Sequence, residues 1–344
     1  MPVLSPCIFL TDCCLSYFTM KAILYGQSAC EWWLYAKPNN TAPIALNKTL
    51  FSACKPSTSI VDHLECFMPF LSRPYHLMVT SKKDARSIPG TKTHVSQYAY
   101  PNKSFHSATN NVYVASPELS LLQAAHEMSL HDLIYFAFCF CGSYAYYGSS
   151  AFHDPYAITG QQDAGLIRRD PITNLRRLHK CAQHHSAFRG SGQLSKALAY
   201  VLENSASPQE TLLAMKFTLP YRLGGFNLPA PRLNYQIPLA RHVKKIADRS
   251  FYVADEYWPT ERLIVEYDSN SYHLTPEQKA HDEIRRNALS RAGYKIIVVT
   301  QRQASNPLEL EKVAGQIAHH LHVRLRPQSQ RFRENQRLLF SRRY

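Results

Sequence analysis

The sequence predicts an α/β protein in two parts. A mainly helical α+β N-terminal domain spans 20–204, and a domain of order α-β-β-β-α-β-α around a mixed sheet spans 205–325. Three observations carry this reading. Strands and capped helices succeed one another cleanly through the second half, the pattern of a sheet covered by helices. "YKIIVVT" (294–300) is a nearly continuous apolar strand of the buried, parallel type. "ENSASPQE" (203–210) interrupts the pattern before it and supplies the boundary. With 344 residues, two domains are the ordinary expectation, and either half can bury a core.

In the first half, residues 1–19 read as a poorly ordered extension. They have no basic stretch ahead of their apolar residues, and Asp12 interrupts them, so they do not form a signal peptide. "KAILYG" (21–26) and "HLMVTS" (76–81) read as short strands, and "SKKDARSIPGTKTH" (81–94) as a basic exposed loop. Ser116-Pro117-Glu118 opens a helix with a capping hydroxyl, a proline at the first helical position and an acid near the positive dipole end. Ser129 and Asp132 open a second helix, apolar on nearly every face and ending at Gly142, which predicts burial. Residues 143–206 read as further helices and loops of basic character.

In the second half, Ser207-Pro208 opens a helix over 207–219. Strands follow at 232–240, 250–259 (stopped by Pro259) and 262–269. Thr275-Pro276 opens a helix closed by Gly293, the apolar strand 294–300 comes next, and a helix over 306–323 closes the domain. Residues 324–344 carry seven arginines against one acid, Glu334, and read as a basic helix or a disordered arm, with the arginine-rich tail proper at 326–344.

A formal net charge of +14 and a pI near 9.3 point to a polyanionic partner, nucleic acid first. The longest apolar run considered, "LIYFAFCFC" (133–141), is too short for a bilayer span of roughly 20 residues. Nine cysteines include no C-x-x-C pair, which argues against a zinc ribbon and fits a reduced, cytoplasmic setting.

Against that positive charge, "ADEYWPTERLIVEYDSNSYH" (254–273) gathers five acids on two strands. Asp255 is expected to end one strand, and Glu266 interrupts the core strand "LIVEYD". Strand alternation from Ile264 places Glu266 and Asp268 on one face. If the two strands pair, Asp255 and Glu266 stand side by side, which destabilises a fold unless a cation lies between them. A hard divalent ion, Mg²⁺ or Mn²⁺, suits oxygen ligands. The plainer reading makes these acids solvent-facing turn residues.

The same residues resemble the core motif of the restriction-endonuclease-like PD-(D/E)XK superfamily, and within it a small domain-of-unknown-function branch related to very-short-patch-repair endonucleases. The likeness runs through Asp255, Tyr257, Trp258-Pro259, Val265-Glu266-Tyr267-Asp268, His273, Arg285-Arg286, Leu289 and Gly293-Tyr294, and covers about 205–325. Asp268 stands where the superfamily signature has lysine, and Ser269 replaces the usual glycine. The resemblance implies a metal-dependent DNA endonuclease. Glu210, Asp255 and Glu266 would be its metal ligands, with Asp268 and His273 as further catalytic groups. Its missing cation would come from His273, Lys279 or Arg285. Arg285, Arg286, Arg291, Arg324, Arg326, Arg331 and Arg333 would contact the nucleic-acid backbone. "GQSACEWWLYA" (26–36) with "SPELSLLQAAHEMSLHDLIYFAFCFCGSYAY" (116–146) resembles AbiEi-type antitoxin or transcriptional-regulator proteins. That likeness keeps open a non-catalytic nucleic-acid-binding regulator with a degenerate nuclease fold. An interaction protein whose arginines bind an acidic partner is a third reading.

Overall fold

Short apolar strands build the first sheet. β1 (Ala22–Leu24) leads into α1 (Gly26–Tyr35), followed by β2 (Pro43–Ile44), α2 (Lys48–Ala53), α3 (Thr58–Phe67), β3 (Tyr75–Val79), β4 (Thr91–Val95), β5 (Phe105–Ser107) and β6 (Val112–Ala115). The computed structural model describes residues 21–35, 43–44, 48–146, 165–239, 250–268, 276–326 and 329–341. Among these, the six strands form one mixed sheet in the order β2-β5-β6-β1-β3-β4. β1 and β6 run parallel, as do β3 and β4, whereas β1 and β3 run antiparallel. β1, β3 and β6 are buried at every position, as strands covered on both faces require.

Helical residues outnumber strand residues in this half, as the sequence predicts, but most of this six-stranded sheet was not legible in the sequence. Strands of two to five residues are too short to show a period of two. The predicted loop at 81–94 is a 3₁₀ turn, Lys82–Asp84, running on to the edge strand β4. The sequence of β4, Thr-Lys-Thr-His-Val, reads as a loop because an edge strand leaves its side chains partly in water. The predicted extension, residues 1–19, lies outside the described residues.

The two capped helices form where their signals place them. The Ser116 hydroxyl accepts from the Leu119 N–H ahead of α4 (Pro117–Ala124), and the Ser129 hydroxyl accepts from the Asp132 N–H ahead of α5 (Leu130–Phe140). Every residue of α5 from Leu133 to Phe140 is buried. A hairpin of β7 (Tyr144–Tyr146) and β8 (Leu166–Arg168) and the helices α6 (Leu175–His184) and α7 (Ser191–Leu198) complete this half.

The second half follows the predicted order of elements. It runs α8 (Pro208–Thr218), β9 (Arg232–Pro238), β10 (Phe251–Trp258), β11 (Leu263–Asp268), α9 (Pro276–Arg291), β12 (Lys295–Thr300), a short α10 (Gln301–Ser305) and α11 (Pro307–His320). β9, β10 and β11 form an antiparallel meander, and β12 joins β11 in parallel after the α9 crossover. Ile264 packs with Ala288 and Leu289 of α9. Leu263 and Val265 point into the other layer, with Leu310, Val313 and Ile317 of α11. The result is mixed α/β architecture, with a helix-covered sheet in this half.

The boundary near 203–210 is not a free linker. Leu212, Ala214 and Met215 of α8 enter the first core, while its Leu213 and Phe217 enter the core beneath the second sheet. The arginine-rich tail forms a packed helix, α12 (Gln330–Phe340), rather than an arm. Phe332 enters the second core beside Tyr221 and Phe226, and Leu339 enters the first. At Gly224 (φ 83°) a Cβ would stand 2.4 Å from the Asn335 carbonyl oxygen, so only glycine allows α12 to cross there. Lys216 of α8 is buried, donates to the Ala304 carbonyl at 2.9 Å and stands over the Phe340 ring. Among the described residues, no helix is long and apolar enough to cross a membrane.

Candidate functional site

Pairing of β10 with β11 sets the geometry of the acids. Glu256 faces Val265, Tyr257 faces Ile264 and Trp258 faces Leu263 across an antiparallel ladder. One further step in that register brings Asp255 opposite Glu266. Asp255 is not a strand end, as expected from the sequence, but lies within β10. Its Oδ2 accepts the Tyr267 N–H at 2.8 Å, which ties the carboxylate to β11.

On its other side β10 pairs with β9, but the described pairing passes over Asn234 and Asp255. Asn234 has a left-handed backbone (φ 46°), a conformation asparagine tolerates better than most residues. The register is the same on both sides of this step, so no residue is inserted there. The Asn234 amide donates to Glu210 Oε2 at 2.6 Å, linking the start of α8 to the irregular step.

Glu210 has a local structural task. It is the N3 residue of α8, in a variant of the capping-box arrangement: its N–H donates to the Ser207 hydroxyl, and its carboxylate accepts from the Ser207 hydroxyl and from the N–H of Ala206, one residue before the cap. The sequence grouped Glu210, Asp255 and Glu266 as three ligands of one ion. Among the described residues, only His76, His94 and Glu127, on the other sheet, bring three ligand atoms within 4.8 Å of one another. The close acidic unit is therefore the Asp255–Glu266 pair, and Glu210 acts on Asp255 through its charge. The cap engages both Glu210 oxygens, and the Ser207-x-x-Glu210 spacing was the available signal for that conflict.

Electrostatics distinguish this pair from surface acids. Burial pushes the Asp255 carboxyl well above the usual range; Glu266 and Glu210 add to the rise, while the Tyr267 N–H and Arg285 oppose it. Burial also raises Glu266 to about 7, against the Tyr252 hydroxyl, Arg285 and Arg286. Glu266 Oε1 has no hydrogen bond, an orphaned acceptor of the kind a cation satisfies. Two half-buried carboxylates with such an atom fit Mg²⁺ or Mn²⁺, since Mg²⁺ commonly uses one or two carboxylates and keeps several waters.

Arg285 was expected on a DNA-facing surface. Its guanidinium instead stands 4.6 Å from the Tyr252 ring centroid and acts electrostatically on both acids. It is half-buried, as is Arg286, because α9 lies against this face of the sheet. Arg291, Arg324, Arg326, Arg331 and Arg333 are exposed. Asp268, at the end of β11, is half-buried and paired in register with Thr300. His273 lies outside the described residues, as does the side chain of Lys279.

Glu256 was not chosen from the sequence as a site residue. It is 1% exposed, neither carboxylate oxygen has a hydrogen bond, and burial, then Asp255 and Glu210, push its carboxyl well above the usual range. Its position between Tyr257 and the acid Asp255, in a strand otherwise apolar toward its end, was the available signal. Nothing in the spacing marked Asn234 or Tyr252.

Compared with models of protein families, with curated proteins and with solved structures, the chain matches none. Its chemistry is therefore argued from the residues themselves.

Proposed function

We propose that the second half is a metal-dependent endonuclease acting on DNA, with Asp255 and Glu266 as its ion-holding pair. The observation that carries the reading is this cross-strand pair of half-buried carboxylates, one of whose oxygens is buried without a hydrogen bond. Such a pair is costly unless a cation offsets it. The α-β-β-β-α-β-α order and the mixed four-stranded sheet support a restriction-endonuclease-like arrangement.

Mg²⁺ or Mn²⁺ would supply water activation and neutralise the charge that builds on the attacked phosphate. The chain's own groups prepare the site. The Tyr267 N–H orients Asp255, Asn234 holds Glu210 at the sheet edge, and the Arg285 and Arg286 charges favour the ionised form of Glu266. Arg285 occupies the role the absent signature lysine would fill, a cation beside the acids. The exposed arginines of α9 and 324–333 give a salt-sensitive grip on a phosphate backbone.

Incubating supercoiled plasmid with purified protein and Mg²⁺ tests this. Wild type should nick or linearise DNA, and Asp255→Asn should slow cutting at least about 100-fold, as expected when ion-holding geometry is lost. Absence of cutting by wild type with both Mg²⁺ and Mn²⁺ would overturn the proposal. Arg285 also favours a second reading: it partly neutralises the acids without an ion, as in a nucleic-acid-binding regulator on a decayed nuclease fold. That reading predicts equal DNA binding by wild type and Asp255→Asn, with no cleavage by either.

A further inference from the structure

A second cluster of ionisable groups lies on the first sheet, in the half that the nuclease reading leaves without a role. His76 is on β3 and His94 on the neighbouring parallel strand β4. The register pairs His76 with Lys92 and Met78 with His94, so all four share one face of the sheet, with the two histidines diagonal to each other. Glu127 reaches the same place from the turn that follows α4. Residues 18 and then 33 positions apart thus meet only because β3 and β4 pair and α4 ends above them.

The distances suit a shared ion. His94 Nε2 and His76 Nδ1 are 3.1 Å apart. Two nitrogens bonded to one ion at roughly 2.0–2.1 Å, at ordinary tetrahedral or octahedral angles, stand about 2.8–3.4 Å apart. Glu127 Oε2 lies 3.8 Å from His76 Nδ1, and one ligand atom from each residue falls within 4.8 Å of the other two. A small rotation of the half-exposed Glu127 side chain closes the remaining gap.

We propose that His76, His94 and Glu127 form a binding site for a zinc-class divalent metal ion, with a coordination position open to the adjoining cavity. Two imidazoles and one carboxylate are a borderline ligand set, which suits zinc, cobalt or nickel and discriminates against magnesium. Three protein ligands leave a fourth position vacant in a tetrahedral site. That position has space beside it: a cavity of about 270 Å³ is lined by Tyr25, Gln27, Gln123, Met128 and three of the cluster's own neighbours, His76, Lys92 and Glu127.

The surroundings hold the ligands ready. The Tyr25 ring stacks on His94 at 4.4 Å, fixing its plane, and the Ser28 hydroxyl accepts the His76 N–H, anchoring that strand. Burial lowers the pKa of both histidines, that of His94 to about 4, so both imidazoles are neutral and have a lone pair to give at pH 7. Lys92 is the competitor. Its ammonium is 2.8 Å from Glu127 Oε2, but its side chain is 49% exposed and can swing into water when an ion takes its place.

Titration of the full chain with zinc, by calorimetry and by thermal shift, tests the site, with cobalt as a spectroscopic probe. Wild type should take up zinc with a micromolar or tighter Kd, and bound cobalt should show d–d absorption without a thiolate charge-transfer band. Glu127→Gln, a turn substitution that preserves shape, and His94→Gln should each weaken zinc binding by at least about 10–100-fold, the range seen even for outer-shell changes. Lys92→Met should tighten it. No zinc uptake by wild type overturns the assignment, as does unchanged affinity in Glu127→Gln or a thiolate band in the cobalt spectrum. DNA cleavage is not a readout here, so failure of this site leaves the acidic pair untouched.

Discussion

The acidic pair on β10 and β11 and the histidine cluster on β3 and β4 are built alike and fail differently when empty. Each lies where neighbouring strands bring ionisable side chains onto one face. Burial drives the pKa values of both acids upward, and at Asp255 the like charges of Glu266 and Glu210 add to the rise. The histidines lose their charge on burial, and Lys92 already compensates Glu127. A cation therefore relieves a strain at the acids but displaces a partner at the histidines. Under the two proposals, the first site would take a hard ion with waters and the second a borderline ion with imidazole ligands.

The strongest way to break the comparison is to separate the two regions mechanically. Phe332→Ala removes a side chain of α12 from the second core, and should cost about 3–5 kcal/mol in urea unfolding. Because α8 and α12 enter both cores, unfolding should remain a single transition. Two resolved transitions would make the halves independent.

A smaller effect should follow at the acids themselves. Glu266→Gln keeps the shape but removes the charge, and should reduce Mg²⁺-dependent plasmid cutting at least about 100-fold, equivalent to about 2.7 kcal/mol of barrier. Zinc occupancy at the histidines should be unaffected.

The pH dependence of stability sharpens the contrast further. Because the folded-state pKa of Glu266 is raised, the native protein binds more protons than the unfolded chain between about 4.5 and about 7. Its contribution is present below the unfolded value and lost as pH rises through the folded one, at up to about 1.4 kcal/mol per pH unit. Without divalent ions, urea midpoints should fall across this window; Glu266→Gln or added Mg²⁺ should flatten the slope. A wild-type slope that neither alters would remove the coupled-acid picture.

The smallest change should come from the surface. Replacing exposed Arg331 and Arg333 with alanine should shift stability by less than about 0.5 kcal/mol. It should also reduce the salt slope of DNA binding by about 0.9 per lost phosphate contact. An unchanged slope would place the nucleic-acid interface elsewhere.

Much of the second half was legible because its elements are long and individually marked. Ser207-Pro208 caps α8, "LIVEYD" and "YKIIVVT" are core strands, and Gly293 ends the α9 segment. The first sheet was largely hidden, since β2, β5 and β6 have two to four residues and β4 is a polar edge. Glu266 was visible as a charge in an apolar strand. The capping duty of Glu210 was available in the Ser207-x-x-Glu210 spacing, whereas the inward turn of Arg285 was not, because it depends on the strand that places Tyr252 beside it.

By itself, the sequence determined the local choices: where helices start, which strands are interior, and that acids sit in a strand whose neighbours are apolar. Those choices depend on propensity, capping and periodicity, which act over a few residues. Tertiary structure decided which ionisable groups meet. It paired Asp255 with Glu266, set Asn234 against Glu210, packed α12 across both cores, and joined His76, His94 and Glu127. Proximity between distant residues is set by strand register and helix packing, and local sequence patterns do not encode either directly.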